Sequence, residues 1–306
     1  MNKLISAVSP HISGMKTTQK IMLDVIIALM PAVIASVIIF GWRSLLVVGI
    51  CVATCVISEF LFEKLCKREV TITDLSAVVT GVILALNLPV SIPIWQASLG
   101  SVIAIIVVKQ LFGGIGQNFA NPAITARIIM MTAFSTTMTA WVFPDAVSTA
   151  TPLAALAKGD AASMPSNLEL LLGWHGGCLG ETCALALILG GVYLLVRRVI
   201  SWHIPVAFIG TVALMSLVCG KDVLYQLLSG GLMLAAIFMA TDYSTSPSTP
   251  WGKIIFGVGC GLITVLIRFW GNFPEGVSFS ILIMNILTPY ISKLTRQRPL
   301  IGGEGK

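Results

Sequence analysis

Charge is scarce in this chain of 306 residues: Asp, Glu, Lys and Arg make up 10% of it, where a soluble domain carries about 25%. That excludes a sizeable domain solvated by water on all sides. Histidine occurs only three times, and the seven cysteines include no C-x-x-C pair, so the usual ligand patterns of zinc and iron–sulphur centres are missing. Cys51 and Cys55 share a helix face at i, i+4, but two ligands on one helix do not close a tetrahedral site, so packing is the reading for both. Nucleotide-binding loops and dinucleotide fingerprints are missing as well. The first twenty residues lack a continuous apolar core with a small-residue cleavage site, so a retained polar tail is expected rather than a cleavable signal.

Apolar residues take the place of charge, at 56% of the chain with a mean hydropathy of +0.94. Ten continuous runs lie near residues 21–40, 44–63, 75–90, 93–112, 122–143, 179–196, 204–219, 223–240, 254–270 and 276–292. They predict an all-α polytopic membrane protein with about ten transmembrane helices. Because the runs are continuous rather than alternating, a β-barrel is excluded.

The net charge of +6 has its explanation in where the charges fall. With the N-terminus inside, most Lys and Arg residues, among them Lys20, Lys64, Lys67, Arg68, Lys253 and Lys293, lie in cytoplasmic loops. The outer side receives only Arg43, Lys158, Lys221 and Arg268. This is the positive-inside pattern of an inner-membrane protein with both termini cytoplasmic, and no nucleic-acid partner is needed to account for it.

A weak internal repeat relates residues 81–95 (GVILALNLPVSIPIW) to residues 231–251 (GLMLAAIFMATDYSTSPSTPW). Each is an apolar span ending in a turn that contains Pro and Ser, followed by Trp. An Asn-Phe pair comes after each copy, at Asn118-Phe119 and Asn272-Phe273. Five spans separate the copies, and an odd number inverts the second one. The expected layout is a tail (1–20), a five-helix repeat (21–143), an outer loop (144–178), a second inverted five-helix repeat (179–292) and a tail (293–306). Binding sites in such architectures lie between broken helices near the membrane midplane; the alternative is that Gly and Pro merely punctuate a polytopic chain.

The loop from 144 to 173 is long for a connection between spans, and long loops concentrate function. Within it, Thr151, Pro152, the run LAALA, Lys158 and Gly159 spell a helix start and stop. The free amides at such a start suit a phosphate. Thr151 either caps this helix or presents its hydroxyl where a phosphate binds.

These residues also carry a resemblance. Asp145, Ser148, Ala150 and Thr151 in DAVSTATPL are similar to the flavinylation motif Asp-x-x-Ser/Thr-Gly-Ala-Thr of the RnfD and NqrB membrane subunits, with Thr149 standing in the Gly position. SPHISGMKTTQKIMLDVIIALMPA, GGIGQNFANPA, ATDYSTSPSTPWGK and FPEGVSFSILIMNILTPYI resemble further segments of that family, so the resemblance spans essentially the whole chain, and the short N-terminus fits RnfD better. It implies FMN bound covalently to Thr151 through a phosphodiester, beside Ser148, Ala150 and Pro152. A second, non-covalent flavin, riboflavin, is implied in the cytoplasmic half. Neither His nor Lys adjoins Thr151, so self-flavinylation is not expected; the resemblance implies an external flavin transferase on the outer face. It also implies partner subunits of an Rnf complex in the lipid bilayer that meet ferredoxin and NAD and couple electron transfer to Na+ or H+ movement.

Asn118 and Asn121 offer amides suited to an isoalloxazine edge, although Asn121-Pro122 also reads as a helix cap. Thr241, Asp242, Thr245 and Glu275 sit in the repeated breaks and join the candidate cofactor residues. Asp24, Glu181 and Asp242 are candidates for an ion path, because ionisable residues in lipid are functional by default. Asp24 and Glu181 hold corresponding places if the repeat is real. Glu59, Glu63 and Lys109 read either as snorkelling at the interface or as packing against partners. Two other functions remain open: a flavin-free channel or secondary transporter, and the equivalent subunit of a sodium-pumping quinone reductase.

Overall fold

A computed structural model describes residues 17–141, 152–153, 165–181, 183–271 and 276–296. Helices account for the regular structure among these residues, and one forms in each of the ten apolar runs. In the first half they are α1 (Thr18–Phe40), α2 (Trp42–Leu65), α3 (Ser76–Leu86), α4 (Ile94–Gln110) and α5 (Pro122–Ala133). The second half contributes α6 (Ala184–Val196), α7 (His203–Val218), α8, α9 (Pro250–Trp270) and α10 (Val277–Thr295). Helix α8 is interrupted, with α8a spanning Val223–Leu228 and α8b running through Leu232–Leu234 and Ala235–Met239.

Four of these helices, α1, α2, α9 and α10, are long and apolar enough to cross a membrane alone. Helices α3, α4, α5 and α6 are shorter than the runs suggested, and α7 matches its run in length. At about 1.5 Å per residue, α3 and α5 are roughly 16–18 Å long, little more than half of a hydrocarbon core of about 30 Å. Helix α5 ends at Phe134, whose φ of −128° and ψ of 50° leave the helical region, although the apolar run continues. Helix α6 begins at Ala184 rather than at 179 because residues 175–181 form turns instead.

Local chemistry sets the boundaries that are sharp. Thr17 caps α1, Asn121 caps α5 ahead of Pro122, and Thr249 caps α9 ahead of Pro250, each through a side-chain oxygen that accepts from the first-turn amides. Both repeat segments have the same course. A short helix (α3, α8b) ends, a Pro- and Ser-containing turn follows, and the next helix carries Trp in its first turn, at Trp95 and Trp251.

Helix α1 packs on α6, and α5 on α10. At the first contact Gly190 lets the backbones touch, since a Cβ there would collide with the carbonyl of Ala28. A continuous core runs through both halves and includes Leu29, Leu84, Ile124, Phe208 and Phe256. Many outward side chains are large and apolar, such as Ile34, Ile38, Leu214 and Leu217, as lipid contact requires. Trp251 and Trp270 are exposed at opposite ends of α9, about 28 Å apart by helix rise, which matches interfacial anchors on the two bilayer surfaces.

Candidate functional site

One end of the bundle carries Lys20, Lys64, Lys67, Lys253 and Lys293 and forms its basic end. A cleft of about 860 Å³, counting its open mouth, enters from this end between α1, α3, the 115–123 loop, α8b and the 241–244 turn. It brings together Asn118, Asn121, Thr241 and Asp242, four of the residues singled out from sequence. Thr245, a fifth, lies buried behind them and donates to Asp242 Oδ2 at 3.3 Å.

The turn that holds Asp242 is built by its own carboxylate. Oδ1 accepts from the Ser244 amide at 3.2 Å and from the Ser244 hydroxyl at 3.0 Å, an Asx turn directly after α8b. Burial pushes the Asp242 carboxyl above the ordinary carboxylate range, opposed by the bonds from Ser244 and Thr245. Helix α10 fixes the same turn from behind: Thr288 Oγ1 donates to Thr245 O at 2.9 Å. Asn285, with its amide oriented to suit its neighbours, donates to that carbonyl at 3.3 Å and accepts from Asn121 N at 3.1 Å.

Asn121 has two tasks. Its Oδ1 accepts from the amides of Ala123 and Ile124 at 3.0 and 3.3 Å, the cap expected of Asn-Pro, and its Nδ2 donates to Met239 O at 3.4 Å. Asn118 differs, because its Oδ1 is shut off from water and has no partner among the described residues. An acceptor in that position is free to take a donor from a water or a ligand, since an unmade bond at a buried polar atom costs about 1–3 kcal/mol.

Sequence reasoning named the charges beside this cleft but did not pair them. Lys109 lines it, yet is only 2% exposed, with Nζ 2.6 Å from Glu59 Oε1 and 2.5 Å from Ser76 Oγ. Gln110 Nε2 donates to the same Glu59 oxygen at 2.7 Å. Glu63 accepts from Thr71 Oγ1 at 2.5 Å and from Thr71 N at 3.1 Å. These residues therefore neither snorkel nor face outward; they form one internal network. The reason is local backbone: the last part of α4, Ile103–Gln110, has wide π-type turns, and both Lys109 and Gln110 are buried against α2.

The ion-path candidates separate. Asp24, 6% exposed, accepts from Tyr193 Oη at 3.0 Å and from Arg197 at 3.2 and 3.3 Å, pinning α1 to α6 near the basic end. Glu181 lies three residues before α6, in a turn, so the two do not hold corresponding places. Of the outer-loop residues, Thr151, Ser148 and Ala150 lie outside the described residues, as does Glu275. Pro152 is described: its carbonyl accepts from Tyr225 Oη at 3.2 Å, and Leu153 is buried against Gly230.

Residues 5–301 match the model of the NQR2, RnfD, RnfE family. The chain belongs to this family. It is 49% identical, over 97% of its length and 96% of the relative's, to the D subunit of the Na(+)-translocating ferredoxin:NAD(+) oxidoreductase complex of Acetobacterium woodii. It is 39% identical, over 94% of its length and 93% of the relative's, to the D subunit of the proton-translocating ferredoxin:NAD(+) oxidoreductase complex of Clostridium ljungdahlii. The D subunit of the ion-translocating oxidoreductase complex of Stutzerimonas stutzeri is 37% identical over 92% of each chain. For a member of the NQR2, RnfD, RnfE family, the cleft at the basic end is where residues singled out from sequence are brought together.

Proposed function

We propose that this chain is the membrane-embedded flavoprotein subunit of an Rnf-type complex, an ion-translocating ferredoxin:NAD oxidoreductase. In this reading it works in a bacterial inner membrane with the basic end in the cytoplasm. FMN is attached to Thr151 on the outer side by a flavin transferase, and riboflavin occupies the cytoplasmic cleft. Similarity to the D subunits of three such complexes along nearly their whole length supports the assignment to a complex. The observation that carries the cleft assignment is the orphaned Oδ1 of Asn118, an acceptor in a pocket with mostly apolar walls.

The residues present fit a flavin ring. Asn118 Oδ1 would accept from a ring N–H, a protonated Asp242 would donate to a ring carbonyl, and the walls from Val25, Val79, Ile83 and Phe238 would cover its faces. The Lys109 ammonium, held by Glu59 and Ser76, supplies fixed positive potential beside the cleft. A bound flavin supplies one- and two-electron exchange that none of the twenty side chains offers. Pro152 and Leu153, anchored on Tyr225 and Gly230, hold the residues next to Thr151 against the break in α8.

The test is flavin content. Denatured purified subunit is expected to show in-gel flavin fluorescence that T151A abolishes, while extractable riboflavin persists in T151A and falls in N118A. Fluorescence that survives T151A overturns the attachment site. A colourless wild-type subunit favours a flavin-free transporter.

A further inference from the structure

We propose that Glu181 binds a single small cation, a proton or a sodium ion, at the break between α8a and α8b. Glu181 is 4% exposed, and neither carboxylate oxygen has a partner among the described residues. Backbone bonds hold it there. The amide of Leu179 donates to Leu88 O at 3.1 Å, that of Gly180 to Leu86 O at 2.7 Å, and that of Glu181 to Cys178 O at 3.1 Å. The segment is thereby stitched to the C-terminal end of α3, which fixes the backbone that carries the carboxylate.

The carboxylate faces glycine. A Cβ added at Gly177 would lie 3.4 Å from the Glu181 carboxyl carbon, and one at Gly231 would lie 3.9 Å from Oε2. Neither position brings a side chain against the oxygens. Gly230 and Gly231 have φ of 73° and 66°, the left-handed conformation that ends α8a and starts α8b. Such breaks in membrane helices release backbone groups from the helical ladder, and ion sites form at them.

The charged and titratable neighbours are Arg268, Arg127 and His175, and the buried His175 Nε2 has no partner among the described residues. Arg268 on α9 takes the opposite side of the break, donating to Ser229 O at 3.0 Å and Gly230 O at 3.3 Å. Arg127 on α5 donates to Asn87 Oδ1 at 2.8 Å and reaches Cys178 Sγ at 3.3 Å. His175, on the segment itself, has Nδ1 3.2 Å from the Gly176 carbonyl. A carboxylate taken out of water needs a compensating charge or a proton, and Gly177 and Gly231, which carry neither, are what stands beside this one. Its use in transport rests on the proposed membership of an ion-translocating complex; the binding itself does not.

Binding is tested on the purified complex with dicyclohexylcarbodiimide, which adds to protonated carboxyls in apolar surroundings, followed by mass spectrometry of the Glu181 peptide. The peptide is expected to take label. A proton site loses label as pH rises, regardless of sodium; a sodium site loses label many-fold on adding sodium at fixed pH, with no effect of potassium. No label at Glu181 under any of these conditions, or label that responds to neither pH nor sodium, overturns the proposal. In liposomes, complex carrying E181Q is expected to move several-fold fewer cations per electron, with E181D restoring much of the loss; wild-type transport by E181Q also overturns it. In-gel and extractable flavin are expected to be unchanged by E181Q, so a failed flavin assignment and a failed cation site give different results.

Discussion

Two carboxylates, Glu59 and Glu181, are comparably buried, yet their surroundings are opposite. Glu59 is enclosed by Lys109 and Gln110 within an internal network beside the cleft, whereas Glu181 faces glycine at a helix break. The first has its counter-charge built into the fold, so its cost is met by folding and its charge is fixed. The second has no hydrogen-bond partner among the described residues, and it is the carboxylate to which an entering cation is assigned above.

Mutations that break this comparison differ in size. Replacing Lys109 by Met leaves Glu59 buried without its cation and is expected to cost about 3–5 kcal/mol, read as a large fall in the midpoint of thermal unfolding of the purified subunit; the double variant K109M/E59Q recovers most of it. R127M removes the ties to Asn87 and Cys178 and is expected to cost roughly 2–3 kcal/mol in the same measurement, in the range of charged hydrogen bonds. E181Q removes no internal partner, so its stability is expected to stay within about 1 kcal/mol of wild type. That contrast with K109M sharpens the distinction between the two carboxylates. D24N is expected to cost about 0.5 kcal/mol, because Arg197 is 55% exposed at its side chain and water screens the pair.

The cleft adds a pH dependence. Because burial raises the Asp242 carboxyl, folding favours its protonated form, and the stability this contributes is present at low pH and lost as pH rises through the raised value. Riboflavin retention is expected to fall over that window if the protonated form donates to the ring. D242N, a permanent donor, is expected to flatten the profile in an equilibrium dialysis titration.

Much of this is legible in the sequence. Apolar runs mark every main helix, and Asn121-Pro122 and Thr249-Pro250 mark two starts, because caps are local chemistry. Asn118, Asn121, Thr241 and Asp242 stand out separately and meet in one cleft. The breaks are less legible. Nothing in the composition of 223–240 marks where α8 opens except adjacent glycines, and the 179–196 run is apolar both where it forms turns and where it is helical, so hydropathy cannot divide it. Lys109 escapes a reading from sequence for a different reason: its partner lies 50 residues away, and π-type turns alter the helical spacing on which an inference of facing direction rests.

The stitch between residues 179–180 and the end of α3 also bears on how the protein is made. Leu86 and Leu88 offer carbonyls whose partners do not exist until the ribosome has added residue 180, and lipid cannot substitute for those partners. The first five helices thus enter the bilayer with an open seam at their centre. Its closure by a later stretch of chain ties completion of the early half to synthesis of the late one.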